Sequence, residues 1–167
     1  MPLVHFDQMV AAANANNVVS FPTDTVPGVA VKPEYAHKIY ELKRRSPDKP
    51  LILMAASLEE LWDYIVGSES EKQQWQAIAQ KYWPGALTLV LPASEKVTSA
   101  INPTQSGTIG VRIPDLEIAR EILAQTGVMA TTSANVSGQP PIEWTEKIAL
   151  TFPDLQQGKG IFLQIGI

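Results

Sequence analysis

The chain has 167 residues, 45% of them hydrophobic, with a formal charge of -4, enough to bury one core and shape a single unit over residues 1–167. The acidic balance excludes a protein that coats nucleic acid by bulk charge and leaves room for a local basic patch. With no Cys and only His5 and His37, far apart, disulfides and thiol chemistry are excluded, and no zinc site is expected.

No basic segment leading into an apolar core opens the sequence, and no apolar run reaches membrane-spanning length. A cytoplasmic protein without membrane association is expected. Phe6, Met9, Val10 and Ala13 fall at i, i+3, i+4 and i+7 and predict a helix ending near Asn16-Asn17. Val18 to Phe21 reads as a strand stopped by Pro22, and Val29 to Val31 as its successor after a polar loop. Tyr35, Ile39 and Leu42 predict a second helix running into Lys43-Arg44-Arg45.

Leu51 to Met54 is a continuous apolar run, the pattern of a strand covered on both faces. Glu59 to Glu71 holds five acidic residues and reads as exposed helix and loop. Trp75, Ile78, Ala79 and Tyr82 form a helical stripe, and Leu87 to Leu91 follows as a strand. Lys96 to Gly107 reads as loop and Thr108 to Ile113 as strand. A helix through Leu116, Ala119, Ile122 and Leu123 should end at Gly127. Val128 to Ala130 predicts a brief strand before Thr131 to Asn135, with a last helix near Trp144 to Leu150 and a strand from Ile161. The alternation predicts an α/β fold with a twisted, mixed sheet.

Neither a G-x-x-x-x-G-K-S/T loop nor a G-x-G-x-x-G fingerprint is present. Three polar clusters remain, each beside an apolar strand candidate. Pro22-Thr23-Asp24-Thr25 suits a self-capped turn as well as a substrate loop. Five of the 13 basic residues lie between Lys38 and Lys49. They suit either a helix C-terminus or a phosphate site, with Lys43 as point charge and Arg45 as fork. Thr131 to Gly138 is rich in hydroxyls and carries Asn135, a set that serves a polar loop or holds phosphate and ribose oxygens. Strand ends in α/β folds tend to gather such loops on one rim.

In this order the clusters resemble the YrdC-like family of threonylcarbamoyl-AMP synthases. The resemblance runs from about Val18 to Pro141. It includes Phe21-Pro22-Thr23-Asp24-Thr25-Val26, then Lys43-x-Arg45 with Asp48-Lys49-Pro50-Leu51, and Trp83-Pro84-Gly85 with Leu87-Thr88. Val111-Arg112-Ile113-Pro114 and Ser133-Ala134-Asn135 complete it. Each tripeptide alone is nonspecific; the ordered set is not.

The resemblance implies a sheet curled around a basic cavity. It also implies a nucleotidyltransfer: L-threonine, bicarbonate or CO2, and ATP give threonylcarbamoyl-AMP and pyrophosphate, with Mg2+. A separate complex then passes the threonylcarbamoyl group to certain tRNAs. Lys43 and Arg45 would hold phosphate and carbamate, Ser133 and Asn135 would orient the α-phosphate and ribose, and Thr23 would bond the substrate. Thr108 would face threonine. Arg112 would neutralise a carboxylate or serve as a structural ion pair.

Two departures stand out: Pro27 replaces the family's aromatic residue, and no counterpart of its downstream Ser/Thr-containing strand precedes Ile167. A non-catalytic binder of double-stranded RNA or tRNA, built on the same cavity, is the alternative. The acidic charge and sparse aromatics weigh against it. A related carbamoyl-adenylate unit with another acceptor, as in hydrogenase-maturation carbamoyltransferases, is a further alternative.

Overall fold

The computed structural model describes residues 5–140; the helix expected near Trp144 and the strand expected from Ile161 lie outside them. Helix α1 (Phe6–Asn14) leads to strands β1 (Val19–Phe21) and β2 (Gly28–Val31), then to a 3-10 turn (Pro33–Tyr35) and α2 (His37–Lys43). Strand β3 (Ile52–Met54), α3 (Leu58–Leu61), a second 3-10 turn (Trp62–Tyr64) and α4 (Glu69–Tyr82) follow. The described chain continues with β4 (Leu89–Pro92), β5 (Thr108–Arg112), α5 (Glu117–Thr126) and β6 (Met129–Ser133).

Local chemistry sets the boundaries. At the start of α4 the Ser68 hydroxyl accepts the Glu71 N–H at 3.2 Å while the Glu71 carboxylate accepts the Ser68 N–H at 2.7 Å. That reciprocal pair satisfies two donors a helix start leaves open. At the end of α5, Gly127 takes φ +79°, a conformation that a residue with a Cβ adopts at a penalty.

The six strands form one sheet in the order β1-β2-β6-β3-β5-β4. Only β3 and β5 run parallel; the other neighbours are antiparallel. The mixed α/β sheet is as the sequence predicts. It is open, however: among the described strands β1 and β4 stay at its edges, so the sheet does not curl closed around a cavity.

Alternation along the strands sorts side chains to two faces. Val29, Val31, Leu53, Ile109, Val111 and Ala130 share a buried cluster with Ile39, Leu61 and Ala79 from the helical segments. Val19, Phe21, Ala30, Met54 and Met129 pack on the opposite face with residues of α1 and α5. On that second face the helices cover one side of the sheet and leave the β3-β5-β4 side open. There Thr108 and Val90 are exposed and Gly110 and Ile52 half-buried, with Val90 at 66%.

Two expectations need correction. The third polar cluster does not wait for the strand to end, since Thr131, Thr132 and Ser133 are themselves part of β6 and pair with Ala30, Val29 and Gly28. β-Branched Thr suits a strand, and a bonded neighbour satisfies the backbone there whatever the side-chain polarity. In the α4 stripe only Ala79 is buried, while Ile78 and Tyr82 are 38% and 50% exposed.

Candidate functional site

The register brings the polar clusters together. Gly28 pairs with Ser133, which puts the loop preceding β2 beside the end of β6. A Cβ on Gly28 would come within 3.1 Å of the Thr131 hydroxyl and 3.4 Å of the Thr132 carbonyl, so the two strands approach closely here. Just beyond, the Ala134 N–H donates to the Pro27 carbonyl at 2.9 Å. Pro27 is buried, and its carbonyl ties the first cluster to the third.

Lys43, the last residue of α2, is 1% exposed. Its Nζ donates to the Ser133 carbonyl at 2.6 Å and lies 3.4 Å from the Thr132 hydroxyl. Among the described residues no carboxylate forms a salt bridge with it. Burial first, then the nearby charges of Arg45 and Lys49, pull its pKa from 10.5 down to about 7. A buried, uncompensated cation is unfavourable on its own and is relieved by an anion.

Arg44 takes the left-handed conformation and ends the helix, and Arg45 after it is half-buried. The Arg45 Nε and Nη2 donate to the carbonyls of Lys49 and Pro50 at 2.9 and 3.0 Å. Two of its five N–H donors thus brace its own loop. Ser133 donates to Asn135 Oδ1. The Asn135 amide in turn donates to the carbonyls of Val136 and Gln139 at 3.0 and 2.8 Å.

Thr23 and Arg112 belong to a second group. The Thr23 hydroxyl donates to the Val26 carbonyl at 2.8 Å and accepts the Thr25 N–H at 3.2 Å, the self-capped turn that was one reading of this cluster. Arg112 ends β5 with its side chain almost covered. Its Nε donates to the Gly85 carbonyl at 3.0 Å, Nη1 to the Thr25 hydroxyl at 3.1 Å and Nη2 to the Asp24 carboxylate. Of the two roles expected for Arg112, the structural ion pair is the one occupied. One guanidinium ties together the Pro-Thr-Asp-Thr loop, the Trp-Pro-Gly turn and β5.

Thr108 opens β5 at the exposed end of the open face, its hydroxyl 3.1 Å from Ser106 Oγ. It belongs to neither group, but alternation puts it on the same face as Gly110 and Arg112. Sequence reasoning named neither Asp24 nor Gly110 as a site residue. Asp24 was legible as the lone carboxylate of the first cluster. The need for Gly110 depends on Ile52 and Thr88, distant in sequence, whose methyl carbons a Cβ there would meet at 2.8 and 3.2 Å.

The described residues contain no cluster of metal-ligating side chains and no helix long and apolar enough to cross a membrane. Two cavities elsewhere, of about 320 and 390 Å3, are lined by none of the expected site residues.

Comparison with known proteins shows the family. The Sua5/YciO/YrdC family model, described as telomere recombination, matches residues 11–158. The chain is 36% identical over 148 residues to the threonylcarbamoyl-AMP synthase of Vibrio campbellii, covering 86% of this chain and 79% of that protein. It is also 36% identical to the synthase of Bacillus subtilis, covering 85% of this chain but 41% of that longer protein. The structure of Pyrococcus abyssi Sua5 complexed with L-threonine superposes with a TM-score of 0.84 at 31% identity, covering 99% of this chain and 48% of that one. The chain belongs to the Sua5/YciO/YrdC family.

Proposed function

We propose that this chain makes threonylcarbamoyl-AMP and pyrophosphate from L-threonine, bicarbonate or CO2, and ATP. The observation that carries the reading is Lys43, a buried cation without a carboxylate partner among the described residues, hydrogen-bonded to Ser133 in the third cluster. Relatives named threonylcarbamoyl-AMP synthase support it, as does the L-threonine complex of the Pyrococcus protein.

In this reading the threonine amine attacks CO2 and loses a proton, giving a carbamate. A carbamate oxygen then attacks the α-phosphorus of ATP, and pyrophosphate leaves. Two anions must meet, so the chain's task is charge neutralisation and alignment. Lys43 and Arg45 receive phosphate oxygens, Ser133 and Asn135 orient the nucleotide, and Thr108 faces the amino acid. No side chain becomes a covalent nucleophile. Mg2+ would enter with ATP and neutralise phosphate charge, as suits a hard cation that needs few protein ligands. The product passes in the cytoplasm to a separate transferase that modifies tRNA.

The test is pyrophosphate release from ATP, Mg2+, bicarbonate and L-threonine, with each omitted in turn. Release that depends on all four is expected. Release without threonine, or none alongside salt-sensitive binding to duplex RNA, would overturn the synthase reading and favour the RNA-binding alternative.

A further inference from the structure

Helix α2 ends in a closure that favours one residue type. The Arg44 N–H donates to the Glu41 carbonyl at 3.3 Å and the Arg45 N–H to the Tyr40 carbonyl at 3.0 Å. This pair of bonds is a Schellman motif, whose hinge residue takes the left-handed conformation. Here the hinge is Arg44, at φ 49° and ψ 42°. Glycine is the usual occupant, because a Cβ in this conformation crowds the backbone and carries a penalty. The two bonds would form at least as well with glycine and would leave Lys43 and Arg45 where they stand. The backbone therefore does not explain an arginine at position 44.

The charge of the side chain does. Arg44 is exposed and forms no ion pair among the described residues. Burial first, then the charges of Arg45 and Lys49, lower the Lys43 pKa; Arg44 stands outside that group. From Lys38 to Lys49 five cations face only Glu41 and Asp48, on a chain whose formal charge is -4. A triphosphate is repelled by that net charge and attracted at this stretch. A cation past a helix C-terminus also offsets the last carbonyls, but that role acts on stability alone.

We propose that Arg44 is a steering residue: its exposed charge draws the nucleotide polyanion toward Lys43, and the chain bears a strained helix end to keep it. The proposal rests on the synthase reading above and adds how an acidic chain collects its polyanionic substrate. Steering acts before chemistry, so it belongs to capture of the nucleotide rather than to the reacting atoms. It also fades with salt, as the screening length falls from about 30 Å at 0.01 M to about 3 Å at 1 M.

Three variants of the whole chain separate charge from backbone strain. Arg44→Lys keeps the charge and the Cβ, Arg44→Ala keeps only the Cβ, and Arg44→Gly keeps neither. Pyrophosphate release at varied Mg-ATP, in low and high salt, is read beside the urea midpoint of each protein. Arg44→Ala and Arg44→Gly should each lose about three- to fivefold in kcat/KM for Mg-ATP at about 0.01 M salt. The loss should lie in KM rather than kcat and vanish at about 1 M. Arg44→Lys should match the wild type, and Arg44→Gly alone should unfold at higher urea. Unchanged kcat/KM in Arg44→Ala and Arg44→Gly at low salt overturns the proposal, as does a loss that persists at high salt. Lower urea midpoints in both with unchanged kinetics would assign Arg44 to the helix end instead. Weaker duplex RNA binding with unchanged Mg-ATP kinetics would overturn the proposal in favour of an RNA contact. If the wild type releases no threonine-dependent pyrophosphate, the synthase reading falls, and calorimetric Mg-ATP titration of the same four proteins still decides whether Arg44 steers the nucleotide.

Discussion

The Lys43 ammonium nitrogen sits 2.6 Å from the Ser133 carbonyl oxygen and joins the end of α2 to the end of β6. The bond uses one of three donors, and a hydroxyl at 3.4 Å takes a second weakly. Desolvation of this amine, reinforced by Arg45 and Lys49, holds its pKa near 7 against an ordinary 10.5. Below about 7 the folded and unfolded chains both carry the proton; between about 7 and 10.5 only the unfolded chain does. Stability of the ligand-free chain should therefore rise with pH across that window. Replacing Lys43 by Met should flatten this rise, stabilising the chain most at the lower end. Urea midpoints of both proteins across the window check it, and parallel pH curves would contradict it.

The same amine predicts how nucleotide binding couples to protons. An anion beside Lys43 favours its charged form and moves its pKa back up. Binding of ATP at a pH somewhat above 7 should then take up a proton, visible as a binding enthalpy that varies with the ionisation enthalpy of the buffer. Lys43→Met should abolish the uptake. Lys43→Ala should also raise the barrier to turnover by about 2–4 kcal/mol, the scale for losing one oriented charge-stabilising donor. Buffer-independent enthalpy in the wild type would place the nucleotide away from Lys43.

Much of this site is legible in the sequence because its parts are short and local. The Lys43-x-Arg45 spacing, the Ser133-x-Asn135 pair and the Thr23 loop are recognisable side by side with the apolar runs that deliver them. Contacts between those parts are another matter. That Arg112 bonds to Asp24 and Thr25, 88 and 87 residues away, depends on strand order and on a loop crossing toward β5. Neither periodicity nor residue type encodes those. The strand character of Thr131 to Ser133 was hidden for a similar reason: polar side chains suggested a loop, while pairing with β2 decided the backbone.

The Arg112–Asp24 pair is largely shielded, with side-chain exposures of 8% and 16%. Removing one partner leaves the other charge uncompensated, and breaking such a pair costs about 3–5 kcal/mol. Asp24→Ala is expected near the lower end of that range because Thr25 and the Gly85 carbonyl still hold the guanidinium. In the double variant Asp24→Ala with Arg112→Met the stranded charge disappears, so the loss should be smaller than the sum of the single losses. Denaturant unfolding of the four proteins measures the coupling. Strictly additive losses would mean that the ion pair contributes nothing beyond its separate groups.

Gly110 tests the packing beneath the open face. A Cβ at this position would approach Ile52 Cγ2 to 2.8 Å and Thr88 Cγ2 to 3.2 Å. Both neighbours are methyl carbons bonded directly to Cβ, so they retreat only if a rotamer changes or a strand shifts. Gly110→Ala should therefore destabilise the chain by about 1–3 kcal/mol through overpacking. Trimming Ile52 to Ala opens the space the new methyl needs. The loss in Gly110→Ala with Ile52→Ala should then be smaller than the sum of the two single losses, by an amount that unfolding midpoints resolve. If Gly110→Ala matches the wild type in stability, the close approach of β3 and β5 at this row is not what requires the glycine.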